Sequence, residues 1–163
     1  LHLSVHSFPT RRSSDLVDTS KKYIKMCRKA PEIQNYWEPK DGDYFYGKPD
    51  DMTGEDFPED IYVFFNCEDE FYAILPQYYD PIKKRFKQDS TAVFLPRVDD
   101  LYQMILADTP TDLAEIFYKW TSSLTVQERE RLNTMEKCWL AFVMSKNHHM
   151  IWTGRDWEKK LER

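Results

Sequence analysis

The sequence predicts an α+β protein in which a small antiparallel sheet packs against four or five helices, with the C-terminal half mainly helical. Two β-branched and aromatic runs, residues 61–65 and 71–75, flank a polar link and so indicate a β-hairpin. From residue 98 onward, apolar residues recur at helical spacing behind successive capping residues. A chain of 163 residues, 41% of them hydrophobic, can bury a core without disulfides. We therefore expect residues 17–163 to form one domain.

The spacing of apolar residues and the positions of capping residues and proline predict the N-terminal elements. Apolar residues at helical intervals over residues 21–37 predict an amphipathic helix that Thr19 or Ser20 caps. Pro31 is expected to kink this helix or end it, because proline lacks an N–H and clashes with the preceding turn. A short strand is expected over residues 44–46.

The middle of the chain is less regular. Residues 78–88 fit either a short basic helix or an irregular connection, and residues 92–95 fit a further strand. The apolar residues of segment 98–106 then lie on one helical face, with two acids in the first turn where the helix dipole favours them.

Three threonines are predicted to cap the remaining helices. Thr109 precedes a proline at the first helical position, Thr125 begins a capping box, and Thr134 precedes the last helix. The predicted buried face of that last helix consists of Cys138, Trp139, Ala141, Phe142 and Val143.

The tryptophans are assigned to packing. Trp152 and Trp157 flank a turn at Gly154, so the tail is expected to fold back onto the last helix. A tryptophan buries about 150–250 Å², which suits the closing of such a face. The alternative is that Trp139, Trp152 and Trp157 bind a partner or a sugar.

Composition disfavours several classes of protein. No apolar run approaches the roughly 20 residues of a membrane span, and no signal-peptide core is present, so we expect a cytoplasmic protein. The odd number and wide spacing of Cys27, Cys67 and Cys138 indicate neither a disulfide framework nor a zinc site. Four glycines form no phosphate-binding loop and no nucleophile elbow, so no cofactor is predicted.

Residues 6–16, HSFPTRRSSDL, match one reading frame of a common sequencing adapter. We therefore interpret residues 1–16 as an adapter-derived artefact without fixed structure and exclude them from the fold prediction. The alternative is a basic, serine-rich arm that contacts phosphate.

The neighbouring histidines are the first candidate for metal or catalytic chemistry. His148 and His149 point to different faces of a helix or strand, and no third ligand has zinc-site spacing, so we interpret them as a solvated helix end. On one continuous helix, Cys138 and His149 would lie roughly 16 Å apart, too far for a thiol and its base. The cysteines are predicted to be small buried hydrophobic residues.

An acidic segment is the strongest charge feature. Residues 38–70 carry twelve acids against two lysines, a net charge of −10. A solvated loop is the simplest interpretation, and the sharper one is a surface that imitates nucleic-acid phosphate and occupies a basic cleft of a host protein. The acids expected on a candidate interaction surface are Asp41, Asp43, Asp50 and Asp51.

The same carboxylates raise two metal hypotheses. A calcium loop beginning at Asp41 fails, because Tyr46 stands where the glycine at position six is required. A small Mg²⁺-dependent hydrolase or nuclease is retained as an alternative, and it predicts cleavage that is lost when Asp41 and Asp43 become Asn.

Basic residues complete the candidate surface. Lys83, Lys84 and Arg85 lie among aromatic residues, a pattern that stacks bases and neutralises phosphate, but a chain of net charge −5 disfavours direct nucleic-acid binding. Arg97 is expected to clamp Asp99, Asp100 or an acid elsewhere in the chain, since guanidinium groups favour carboxylates.

Four segments together carry a resemblance. They are KYIKMCRKAPEIQNYWEPKDGDYFY (22–46), FLPRVDDLYQMI (94–105), TMEKCWLAFVMSK (134–146) and IWTGRDW (151–157). In that order they resemble an uncharacterised family of small proteins from tailed phages and prophages of gut bacteria. The chain departs from the family pattern at residue 31, at residues 98–101 and in the acidic stretch 47–60. No activity is assigned to the family, so the resemblance implies an origin and a bacterial host cell.

The predicted function is that of a non-enzymatic phage or prophage accessory protein that binds another protein of the phage or the host. An acidic, aromatic-rich and glycine-poor chain has surface for recognition and few groups for catalysis. The alternatives are the DNA-mimicking inhibitor and the Mg²⁺-dependent hydrolase or nuclease.

Overall fold

The structure is a computed structural model. It describes residues 17–35, 37–38, 40–47, 59–67, 70–74, 92–105 and 109–160. The adapter match at residues 6–16 and the predicted connection at residues 78–88 lie outside these ranges. The described residues form six helices and two antiparallel sheets, which confirms the α+β class and the mainly helical C-terminal half.

The elements follow one another along the chain in a simple order. The helices are α1 (Lys21–Arg28), α2 (Pro31–Gln34), α3 (Val98–Gln103), α4 (Pro110–Ser123), α5 (Val126–Arg131) and α6 (Met135–Asn147). The strands are β1 (Tyr44–Gly47), β2 (Asp60–Cys67), β3 (Glu70–Ile74), β4 (Val93–Leu95), β5 (Met150–Trp152) and β6 (Trp157–Lys159).

Local side-chain chemistry sets where the helices begin. The Ser20 side chain accepts a hydrogen bond from the Tyr23 N–H at 3.3 Å and so caps α1. Pro31 ends the first helical stretch as predicted and opens α2, where its missing N–H costs nothing. The predicted caps of α4, α5 and α6 are confirmed: Thr109, Thr125 and Thr134.

The larger sheet has the strand order β3-β2-β1-β4, and all its pairs are antiparallel. The predicted hairpin is confirmed, but β2 is longer than the sequence indicated and β3 begins one residue earlier, because pairing continues to Cys67 opposite Glu70. The link is therefore two residues rather than five. Ladder hydrogen bonds need only backbone groups, so polar residues at the strand ends pair as well as β-branched ones.

The two faces of the sheet belong to different apolar clusters. Tyr44 lies opposite Val63 on one side and Leu95 on the other, and all three are buried in the main core with the helices. The alternating residues Phe45 and Tyr62 point to the second face. That face is also buried, and the half-buried ring of Trp37 packs against it.

The free edge of β4 is blocked by one side chain. The Gln34 Nε2 donates to the Phe94 carbonyl at 3.1 Å, and the Phe94 N–H donates to Gln34 Oε1 at 2.8 Å. Because both outward backbone groups of Phe94 are occupied, this edge offers no template there for pairing with another chain.

Helix α6 lies in the middle of the core. Seven consecutive residues of α6, 139–145, are buried, which covers the helix on all sides. The predicted buried face is therefore too narrow: it omitted Leu140 and Met144, and it included Cys138, which is only partly buried. Surrounding elements, among them α1, α3 and β5, explain why a helix without a polar face is stable here.

A buried ion pair joins the start of the described chain to the first turn of α6. Lys137 Nζ lies 3.0 Å from Asp18 Oδ2, and the two side chains are only 4% and 7% exposed. The Thr134 hydroxyl donates to the same carboxylate at 2.7 Å, and the Ser20 N–H donates to its second oxygen at 2.8 Å. Burial by itself raises the pKa of Asp18, but these hydrogen bonds outweigh it and hold the pKa below its ordinary value.

The C-terminal hairpin folds back as predicted. Trp152 and Trp157 face each other across β5 and β6 with ring centroids 5.0 Å apart. Gly154 supplies the positive φ of 96° in the turn between them. The Trp157 indole N–H donates to the Met26 carbonyl at 3.0 Å, which fastens the hairpin to α1.

Removing the carboxylate of Asp18 should destabilise the protein. The Asp18→Asn variant leaves the Lys137 ammonium buried without a charged partner, so we expect a loss of roughly 3 kcal/mol in unfolding free energy at neutral pH. Because the folded pKa lies below the unfolded one, the wild-type contribution is complete above the unfolded value and is lost as the pH falls through the folded value. Urea denaturation of both proteins from neutral to acidic pH tests this.

Asp156→Asn is the matched control for that change, since it removes an exposed carboxylate that pairs with Lys29. Little change in stability is expected from it. If wild type and Asp18→Asn differed by the same unfolding free energy in acid as at neutral pH, the proposed role of the ion pair would be contradicted.

His149 adopts a left-handed backbone at the end of α6, with a φ of 56°. Glycine adopts this conformation without penalty, so we expect His149→Gly to raise the unfolding free energy by about 1 kcal/mol. His148→Gly should lower it, because the φ of His148 is −123° and glycine only adds chain entropy there. Thermal unfolding of the two variants distinguishes these signs.

Candidate functional site

Asp43 does not belong to the predicted interaction surface, so that part of the prediction is wrong. Its side chain is not on an acidic surface, because the residue is only 4% exposed. Its Oδ2 accepts hydrogen bonds from the Trp37 indole N–H at 2.8 Å and from the Lys40 N–H at 2.9 Å. The sequence showed an acid in a charged run, but the nearby indole that requires an acceptor explains why this acid turns inward.

A tight turn places Asp43 in this position. The Asp43 N–H donates to the Lys40 carbonyl at 3.0 Å, and Gly42 has a φ of 86°, which is the geometry of a type II turn. Gly42 and Asp43 then exchange backbone hydrogen bonds with Phe64 on β2. Asp41 is exposed at the tip of the turn, so only one of the two carboxylates faces solvent.

The other predicted surface residues divide into two groups. Arg97 is confirmed as a clamp, since its guanidinium lies 3.4 Å from Asp99 and 3.6 Å from Asp100. The Asp100 carboxylate also accepts the Arg97 N–H at 2.8 Å, yet burial raises the pKa of Asp100. The rest lie outside the described residues: Asp50, Asp51, Lys83, Lys84 and Arg85.

Thiol and imidazole groups are not assembled for catalysis in the described part of the chain. Cys27 is fully buried, and burial raises the pKa of its thiol strongly. Burial also raises the pKa of Cys138, which leaves a protonated, weakly nucleophilic thiol at neutral pH. His148 caps the end of α6 and His149 is exposed, as predicted for a solvated helix end. Among the described residues, no group of three His, Cys, Asp or Glu side chains could hold a metal ion.

An aromatic cluster attaches α4 to α6. Phe117 stacks on Trp139 with ring centroids 4.3 Å apart, and both rings meet Phe142 edge-on. Trp120 contacts Phe142 at 5.3 Å. The prediction that Trp139 and Trp157 serve packing is confirmed, because each is only 7% exposed.

Three tryptophans are partly exposed, namely Trp37, Trp120 and Trp152, and the last two line one groove. Trp120 on α4 and Trp152 on β5 form its walls, and its volume is about 160 Å³. The remaining lining residues come from α4, α5, α6 and the C-terminal hairpin: Ser123, Leu124, Glu128, Leu132, Ala141, Ser145, Met150, Ile151 and Lys160. Trp120 lies at helical spacing from Leu113, Ile116 and Phe117, which puts it on the apolar face of α4, but this spacing does not show that the face extends beyond the core.

A second depression adjoins this groove. Its volume is about 300 Å³, and it shares Leu124 and Leu132 with the groove. Thr121, Ser122, Arg129 and Cys138 complete its lining. The Arg129 guanidinium donates to the carbonyls of Leu124 and Ser122 at 3.1 and 3.3 Å, so it is already engaged at the end of α4.

Glu128, which lines the groove, is held in its ionised form by its neighbours. Hydrogen bonds from the Thr125 hydroxyl and N–H lower the pKa of Glu128, and the charges of Arg131 and Lys160 lower it further. Glu128 is therefore ionised at neutral pH and occupied in the capping box of α5. This carboxylate is suited to a polar rim and not to proton transfer at neutral pH.

Comparison of the chain with protein-family models, curated proteins and solved structures finds no significant match. The resemblance to phage proteins therefore stays a prediction. None of the described helices combines the length and apolar character that a bilayer crossing requires.

The contact between Trp37 and Asp43 should be detectable as an energetic coupling. Asp43→Ala leaves the buried indole N–H without its acceptor, so we expect a loss of about 2 kcal/mol in unfolding free energy. Trp37→Phe removes the donor. Because both changes break one hydrogen bond, the double variant should lose less than the sum of the single losses, as measured by urea denaturation. Additive losses would show that the two side chains are independent.

Proposed function

We propose that this chain is a phage or prophage accessory protein that acts by binding another protein, and that an apolar anchor side chain of the partner enters the groove between Trp120 and Trp152. The observation that carries the proposal is the pair of half-exposed indoles in an apolar groove. Tryptophan is enriched among the residues that dominate binding energy at protein interfaces.

The size of the groove favours a side chain over a small molecule. Its volume of about 160 Å³ is well below the roughly 300–1,000 Å³ of ordinary ligand pockets. A single large apolar side chain fits this volume. Glu128 and Lys160 supply the charged rim that surrounds such anchors.

One exposed apolar residue extends the candidate surface. Ile151 lines the groove and is 38% exposed. Large apolar side chains left in solvent are informative when they lie beside a groove, because monomeric proteins rarely leave such patches without a role.

The test compares two exposed β-branched residues, one that lines the groove and one that does not. Ile151→Glu introduces a charge into the groove, whereas Val126→Glu introduces the same charge at a residue that is 70% exposed and does not line it. A tagged full-length chain is used to capture proteins from lysate of phage-carrying gut bacteria at low and high salt. We expect one captured protein to resist high salt, because apolar contacts are not screened, and to be lost at least tenfold with Ile151→Glu only.

Two further results would contradict the proposal. One is capture that Ile151→Glu and Val126→Glu weaken equally, which would place the contact outside the groove. The other is metal-dependent release of nucleotides from DNA by the purified chain, which would favour the hydrolase alternative. Circular dichroism of both variants verifies that each is folded.

A further inference from the structure

Helix α1 presents a basic face that the sequence pattern did not single out. Lys21, Lys22, Lys25 and Arg28 are exposed, and α1 contains no acidic residue. Its other face is buried in the core. The chain as a whole has a net charge of −5, so this face is positively charged on a negatively charged protein.

The basic residues near the end of α1 already have partners. Arg28 pairs with Glu59 at 3.3 Å and lies 5.3 Å from the ring centre of Tyr46, and Lys29 pairs with Asp156. In contrast, Lys21, Lys22 and Lys25 form no ion pair with any carboxylate of the described residues.

The helix dipole accounts for Lys25, which lies in the last turn of α1, but not for Lys21 and Lys22. Lys21 and Lys22 occupy the first turn of α1, where the helix dipole favours acids and disfavours cations. The other capped helices follow the rule, with an acid in the first turn of α4, α5 and α6. The acid nearest to this end of α1 is Asp18, which accepts the Ser20 N–H and forms its ion pair with Lys137. Neither Lys21 nor Lys22 pairs with it, and a local rule broken in this way is typical of a functional surface.

We infer that Lys21, Lys22 and Lys25 form a docking surface for a short acidic segment of a partner protein. Lys21 and Lys25 are one helical turn apart, a rise of about 6 Å. Alternate side chains of an extended peptide are about 7 Å apart, so successive carboxylates on one side of such a peptide can each meet a lysine. The charges of the two surfaces are complementary, which speeds association and selects the partner.

The observations favour an acidic peptide over a nucleic acid. Stacking of bases would need exposed rings, but Tyr23 of α1 is buried with its hydroxyl donating to the Pro96 carbonyl. The ring of Trp157, which contacts α1, is buried as well.

This inference is independent of the groove, because none of the three lysines lines it. A negative result in the test of one surface therefore does not contradict the proposal about the other. The two surfaces also differ in salt response, since charge pairs weaken with ionic strength and apolar contacts do not.

Fluorescence anisotropy with a labelled polyglutamate peptide of about ten residues tests the inference. The full-length chain should bind the peptide at about 50 mM salt and release it at about 300 mM. The triple variant Lys21→Gln, Lys22→Gln, Lys25→Gln should bind about tenfold more weakly, because three charge pairs are lost. Its melting temperature should not fall, because two of the substitutions remove cations from the unfavourable first turn of α1, which offsets the loss of Lys25 from its last turn.

A charge-matched variant, Lys146→Gln, Arg155→Gln, Lys159→Gln, is the control, since all three residues are exposed and lie outside α1. It should keep its affinity for polyglutamate. Equal loss in both variants, or no binding by the wild-type chain at low salt, would overturn the inference. Duplex DNA that binds more tightly than polyglutamate and is lost in the α1 variant would overturn it in favour of a nucleic-acid surface.

Discussion

Complete burial of α6 is the constraint on which the rest of the described structure depends. A helix with seven consecutive buried residues has no side that it can leave to water. Elements from both ends of the chain must therefore cover it, including α1 near the start and β5 near the end. The same constraint places Lys137 in a dry environment, and the charge of Lys137 in turn requires Asp18.

Buried polar groups are matched to partners that lie far away in sequence. The Trp157 indole bonds to the Met26 carbonyl, and the Tyr23 hydroxyl bonds to the Pro96 carbonyl. Each such contact joins two elements, because a polar group that lost its partner would stay buried at a cost of about 1–3 kcal/mol. The indole nitrogen of Trp139 is an exception, since it is buried with no hydrogen-bond partner among the described residues, while the indole ring stacks on Phe117.

Four of the five tryptophans divide into two roles by exposure, and the fifth, Trp37, packs on the sheet. Trp139 and Trp157 hold elements together, whereas Trp120 and Trp152 are anchored at one edge and leave part of each ring at the groove. An amphipathic ring with few rotatable bonds loses little conformational entropy on contact, which suits such rings to recognition. The basic face of α1 adds a charged surface to this apolar one, so the two proposals concern contacts of opposite physical character.

What the sequence alone determined is local. Thr109, Thr125 and Thr134 could be identified as caps because each bonds to a backbone N–H only three residues away, and Pro31 breaks a helix through its own ring. The hairpin and the fold class followed from equally local patterns.

Tertiary structure alone decided the polar pairs and the groove. The hydrogen bond between Asp18 and Thr134 joins residues 116 positions apart. The periodicity of the sequence does not reveal which acid will meet which distant hydroxyl or cation. The burial of Asp43 cannot be predicted from the sequence either, although its partner Trp37 is close in the chain, because it depends on where the Trp37 ring lies on the sheet. The groove, likewise, exists only where α4, α5, α6 and the C-terminal hairpin meet. Capping energies depend on neighbours along the chain, whereas burial and pairing depend on neighbours in space, and only the folded chain brings those together.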